Sequence, residues 1–258
     1  MKREKAACLK ARYVPISKVS VPIVRRMYEI YSGYYENISL ELFCQDLGEK
    51  NGVFLVEDRS TKRVVGFSTM KTLHMKAGNR VVKGVFSGDT ILEKEYWGNK
   101  ALHVAFFFRM IREKLRHPFQ PLFWLLISKG YKTYLLMANN FHNYYPSPER
   151  HCEKLEGLVD NYCERLFSDY YRAEQKILDF GDGYTHLKSD VAGITDDMRQ
   201  RNVKINFFEQ RNPTWERGTE LPCIGEVSYS LILHYPFSLW KKLRRKTSET
   251  ISAVPANN

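Results

Sequence analysis

The residues Tyr96-Trp97-Gly98-Asn99-Lys100-Ala101-Leu102 join an apolar run that reads as a strand to a stripe that reads as a helix. A strand that runs straight into a helix N-terminus brings unpaired backbone N–H groups and the positive end of a helix dipole to one point. Such a point is suited to holding a phosphate or another anion. Gly98 is the small residue that suits a tight backbone approach there. In the strand ahead of the turn, alternation predicts Ser87, Asp89 and Ile91 on one face, so a carboxylate and a hydroxyl share it.

Other constellations carry less chemistry. His142, His151 and Cys152 are close along the chain, but His151 and Cys152 would occupy adjacent helical positions about 100° apart. They read as polar surface, and Cys152 and Cys163, about three turns apart, as a packing pair. The five cysteines, Cys8, Cys44, Cys152, Cys163 and Cys223, form no Cys-x-x-Cys pair and read as free thiols of a reducing compartment. Thr195-Asp196-Asp197 reads as a helix start and Gly181-Asp182-Gly183-Tyr184 as a loop. No metal is expected, since no His-Glu-x-x-His or Asp-x-Asp spacing occurs.

The elements that must position these residues follow from periodicity. The chain has 258 residues, 43% of them hydrophobic and 14% aromatic, enough for a sizeable core. Helical spacing predicts a helix over Val19–Tyr35 and a second from the cap Ser39 to Leu47. Two hairpins follow: 53–57 with 63–70, and a run through His74 with the long run 80–92. A helix is predicted over 100–116, begun by Asn99 and buried along Ala101, Val104, Ala105, Phe108, Ile111 and Leu115. Then come a buried strand, Leu122–Ser128, a short helix, Tyr131–Met137, and a helix over 149–167. Residues 203–208 and 227–234 read as two further strands.

This order resembles the Gcn5-related N-acetyltransferase superfamily over residues 12–146, through the strand Thr90-Ile91-Leu92, Tyr96 and the turn 97–102. A second segment, Ser128-Lys129-Gly130-Tyr131 through Asn140-Phe141 to Pro146, resembles the family's strand, short helix and Gly-Phe turn. The resemblance implies an α/β fold with a mixed, largely antiparallel sheet flanked by helices, whose central strand splays from its neighbour. It implies an acyltransferase core over 1–146, with 147–240 a mixed C-terminal extension packed on it and 241–258 a basic tail.

The activity implied is transfer of an acyl group from a thioester to an amine or hydroxyl. Backbone at Ile91 and Leu92 would align a pantetheine arm, and Trp97, Gly98, Asn99, Lys100 and Leu102 would meet the phosphate. Asp89, or a water, would take the acceptor's proton, and Tyr134, with Tyr131 as substitute, would protonate the departing sulfur. Trp97, Lys100 and Leu102 stand where the family has Arg or Gln, Gly, and Gly or Ala. Three donor readings follow: acyl-CoA held by unusual contacts, an acyl chain on the phosphopantetheine of an acidic acyl-carrier protein, or a non-catalytic scaffold. Phe106, Phe107, Phe108, Phe123 and Trp124 read either as a long acyl pocket or as plain core.

Charge bounds the partners. Lys plus Arg number 40 against 29 Asp plus Glu, a net charge of +11, which favours acidic partners or an anionic membrane surface. Part of the excess is Lys241, Lys242, Arg244, Arg245 and Lys246, which with Phe237, Trp240 and Leu243 suit an anionic bilayer if helical. No nucleic-acid module is present and no nucleic-acid partner is expected. No apolar run is long enough to span a bilayer, so a cytoplasmic, at most membrane-peripheral, protein is expected.

Overall fold

A computed structural model describes residues 8–36, 38–181 and 193–233. Strand β1 (Leu9–Pro15) pairs antiparallel with β2 (Gly52–Asp58), β2 with β3 (Val64–Ala77) and β3 with β4 (Arg80–Leu92). Then β4 pairs in parallel with β5 (Leu122–Ser128). Beyond β5 lie β9 (Leu221–Glu226) and the short β6 (Tyr144–Tyr145), both antiparallel to their neighbours. The seven-stranded sheet is thus mixed and largely antiparallel, as expected. A hairpin of β7 (Tyr171–Arg172) and β8 (Ile177–Leu178) is tied to it by a bridge between Leu178 and Glu220, the residue before β9.

Helices cover both faces. On one face α3 (Ala101–Arg116) and α4 (Tyr131–Ala138) bury Leu102, Met110, Tyr134 and Met137 against Met70, Val85, Trp124 and Leu126. On the other, α1 (Val21–Ser32) and α2 (Leu40–Gly48) bury Met27, Ile30 and Phe43 against Val53, Leu55, Phe67 and Ile91. Beside them α5 (Glu153–Phe167) packs Leu155, Leu158 and Val159 on Phe86, Phe123 and Leu125. Two polar helices, α6 (Asp196–Arg201) and α7 (Val203–Arg211), precede β9, and α7 lies against α4.

Local chemistry sets most of these boundaries. The Ser39 hydroxyl accepts from the Leu42 N–H and starts α2, as expected. Three expectations are corrected. Residues 203–208 are helical: the Asn202 side chain accepts from the Lys204 N–H, and Ile205 and Phe208, three apart, share the buried face. The run was too short for period alone to separate strand from helix. The last strand among the described residues is Leu221–Glu226, and of the expected strand 227–234 residues 229–233 are helical. In α3 Leu102 and Met110 are buried and Ala101 and Ala105 pack against the same core as expected, while Phe108 and Leu115 face solvent. Because α3 is apolar on several sides, its period does not single out one stripe, and contact with the sheet chose among them. Strand β1 is an additional edge strand beside β2, and β9, from beyond residue 146, is an integral member of the sheet.

Candidate functional site

The site is an opening made by two strands that part. β4 and β5 pair from Lys83 with Leu122 to Ser87 with Leu126. From there β4 follows β3 to Leu92 and β5 follows β9 to Ser128, so a wedge opens between them. The cause is a bulge: Ser68 pairs with Thr90 and Met70 with Ser87, so Thr69 alone faces both Gly88 and Asp89. Gly88 is required there, because a Cβ would lie 2.4 Å from the Thr69 Oγ1.

The extra residue resets the alternation. Ser87 and Thr90 face α3 and α4, whereas Asp89 and Ile91 face α1 and α2. The expectation that Ser87 and Asp89 share a face is corrected, since period-two counting fails across a bulge.

On the α3/α4 side the opening is apolar and narrow. A cavity of about 70 Å³ lies among Ser87, His103, Phe106, Trp124 and Phe141. Trp124 Nε1 donates to Ser87 Oγ at 2.8 Å, and the Ser68 and Thr90 hydroxyls are 2.7 Å apart. Burial holds the His103 imidazole below its ordinary pKa, helped by Lys100. The cavity is small beside the few hundred Å³ of an ordinary ligand pocket.

The strand edge offers backbone groups. The Glu93 N–H bonds to the Val65 carbonyl, which makes Leu92 with Gly66 a non-hydrogen-bonded pair and Ile91 with Phe67 a hydrogen-bonded one. Ile91 therefore spends its backbone on β3 and its side chain in the core under α1 and α2. Thr90 and Leu92 direct their backbone groups into the opening. The Leu92 carbonyl there accepts the Trp97 Nε1–H at 2.7 Å. The Trp97 ring lies near Tyr34, centroids 6.2 Å apart, with Lys132 Nζ 4.7 Å from its own centroid. Trp97 thus roofs the end of the opening.

The turn below it matches its sequence. Gly98 has φ +81°, a left-handed conformation that other residues adopt at a cost, and a Cβ there would meet open space. Lys100 occupies the N-cap position of α3, while the Asn99 side chain accepts the Ala101 N–H at 2.9 Å. One donor at the helix start is therefore already used. Leu102 is buried and borders the cavity.

On the α1/α2 side the opening is charged. Burial raises the Asp89 carboxyl to about 6, with the Asp46 charge adding and Lys129 and Lys50 opposing. Lys129 Nζ is 3.1 Å from the buried Glu220 Oε1 and 5.3 Å from the Tyr35 ring centroid, its own side chain being mostly covered. Burial also raises Glu220 against the pull of Lys129, and raises the Tyr35 phenol, with Asp89 and Glu220 adding. Lys50 pairs with Asp46, and the Thr69 Oγ1 is buried among the described residues without a hydrogen-bond partner.

The two tyrosines differ. Tyr134 is fully buried, its hydroxyl donates to the Pro146 carbonyl at 3.1 Å, and burial raises its pKa far above the ordinary value. It packs on Tyr144 and Phe208 rather than on the cavity. Tyr131, the first residue of α4, is only partly buried. Of the expected residues, Asp89, Leu92, Trp97 and Leu102 border the opening. Sequence reasoning missed Glu220, Lys129 and Tyr35; no spacing signals Glu220, which β9 delivers from far along the chain.

No protein-family model matches the chain, and no curated protein matches it. Solved structures are similar over about half of it, three of them as follows. A probable N-acyltransferase from Enterococcus faecalis V583 matches with 10% identity and TM-score 0.38 over 52% of this chain, which corresponds to 33% of that one. Arabidopsis thaliana NAA60 in complex with a bisubstrate analogue matches with 13% identity and TM-score 0.39, over 52% of this chain and 87% of that one. The GNAT family N-acetyltransferase YhbS from Escherichia coli, in complex with CoA, matches with 9% identity and TM-score 0.34, over 49% and 67%. On its own strand order, with a parallel pair that splays and a helix that starts at Ala101 after the turn following the splayed strand, the chain has a Gcn5-related N-acetyltransferase type of fold.

Proposed function

We propose that this chain transfers an acyl group from a thioester to an amine or hydroxyl across the opening between β4 and β5. The observation that carries the reading is Asp89: a carboxylate at the splay, its pKa brought to about 6 by burial, and thus a base matched to neutral pH. The donor would enter from the apolar side and the acceptor from the charged side. As the acceptor attacks the thioester carbon, Asp89 takes its proton, directly or through a water. The carbon–sulfur bond breaks and the sulfur leaves as thiolate, to be protonated by a tyrosine of α4. The commitment of the Tyr134 hydroxyl to Pro146 favours Tyr131 for that step.

Thr90 and Leu92 would present backbone groups to the pantetheine amides, and the Gly98–Leu102 turn, with Lys100, would meet the phosphate. Acyl-CoA is the first donor to test, and the net charge of +11 keeps an acidic acyl-carrier protein as the second. The experiment is calorimetric titration with acetyl- and long-chain acyl-CoA, repeated on Gly98→Trp. Saturable binding that the variant loses supports the reading. Absence of heat with every coenzyme A and of acyl transfer from a carrier protein overturns it. A non-catalytic binding protein is the second reading, favoured by the narrow cavity and by Trp97 occupying the Leu92 carbonyl.

A further inference from the structure

Helix α3 has a second apolar side. Phe108 and Leu115, each 63% exposed, lie two turns apart, and the partly buried Val104 and Ile111 complete a stripe at 104, 108, 111 and 115. The loop that follows holds Phe119, 97% exposed, at the end of the same helix. Single exposed apolar residues are ordinary, but a stripe that runs into a protruding aromatic marks an interaction surface.

The exposed charges of the helix itself have one sign. Glu113 is the acid within α3, and it is buried, held by Lys83 at 2.6 Å and Arg109 at 2.8 Å. The exposed charges of the helix are Arg112 and Arg116. Arg80 and His117 join Phe119 in one shallow depression whose described lining contains no carboxylate.

We infer that the outer face of α3, continued by Phe119 and Arg80, docks on an anionic lipid bilayer. The apolar side chains Phe108, Leu115 and Phe119 protrude into solvent, and a helix with an apolar stripe and a basic rim lies in the plane of a membrane interface. Each basic residue near an anionic surface adds attraction. The course of the chain agrees. Tyr229 donates to the Pro118 carbonyl at 3.0 Å, and Leu231 borders the cavity beside Phe106 and Phe107 of α3. The sequence that then departs from Leu233 carries Phe237, Trp240 and Leu243 among Lys241, Lys242, Arg244, Arg245 and Lys246, chemistry of the same kind and sign.

The test is co-sedimentation of the full chain with phosphatidylcholine vesicles, with and without phosphatidylglycerol. Three proteins are compared: the natural chain, Phe119→Ser, and the triple variant Arg80→Glu, Arg112→Glu, Arg116→Glu. Binding to the phosphatidylglycerol vesicles alone is expected, with the triple variant at least about tenfold weaker and Phe119→Ser severalfold weaker. Phe119 is too exposed for its loss to disturb the core, which the melting temperature checks. The inference is overturned if the natural chain stays in the supernatant. It is equally overturned if both variants bind as the natural chain does, which would leave binding to the basic tail alone. A concentration-dependent dimer that Phe119→Ser abolishes, without vesicle binding, would assign the face to a second copy.

Discussion

The two sides of the β4/β5 opening are built from adjacent residues and have opposite chemistry. Ser87 looks into an apolar slot where Trp124 is its hydrogen-bond partner. Asp89, two residues on, looks into a cluster with Lys129, Glu220, Tyr35 and Asp46. In a regular strand both would face the same way. One extra residue opposite Thr69 sends them apart and at the same point frees the strand from β5. A single bulge thereby separates a donor side from an acceptor side and opens the passage between them.

Asp89→Asn should separate the two sides most sharply. Acyl transfer is expected to fall about 10²–10⁴-fold, while thioester binding on the other side is unchanged. The natural chain should show an acid limb in kcat/KM with a midpoint near 6 that the variant lacks. The folded-state pKa is raised above the ordinary carboxylate value, so the ionised form opposes folding. The variant should accordingly melt higher at pH 7, with the difference shrinking as pH falls from about 6 and gone below the ordinary carboxylate range. Equal melting at pH 7 would place Asp89 in contact with water and remove it as a tuned base.

Lys129→Met tests whether the charged side is held together by its buried pair. It leaves Glu220 buried without its partner, at a cost of about 3–5 kcal/mol by urea unfolding. The loss should be smaller at low pH, where Glu220 takes a proton. A pH-independent loss would mean that Lys129 serves only by packing.

Gly88→Val attacks the bulge itself. Its side chain would meet the Thr69 hydroxyl, and a loss of about 1–3 kcal/mol is expected, together with loss of transfer, because Ser87 and Asp89 can no longer keep opposite faces. Retained activity would show that the strand keeps its bulge by other means. The smallest effect is expected on the apolar side. Trp124→Phe removes the bond to Ser87, costs about 1 kcal/mol, and should tighten long-chain thioester binding by widening the slot. Weaker binding would identify the indole as a wall that the acyl chain needs.

Much of this was legible in the residues. The run Leu122–Ile127 is uniformly apolar, and the buried strand covers it and Ser128. The helix after Asn99 and the capped helix after Ser39 begin within a residue of where their signals place them. Gly98 was read as the turn's small residue and has the positive φ that explains it. What escaped were features without a local signature. Val203–Phe208 has β-branched and aromatic residues yet packs as a helix on α4, because the capping side chain of Asn202 and the neighbouring helix decide it. Glu220 and Lys129 are far apart in sequence and meet only because β9 enters the sheet beside β5.

The sequence by itself determined the periods, the caps and the turn, because these depend on residues within a few positions of one another. Tertiary structure alone decided which stripe of α3 is buried, which face Asp89 looks from, and which charges surround it. Those outcomes depend on how strands far apart in the chain are registered, and a one-residue change in register exchanges the two faces of a sheet.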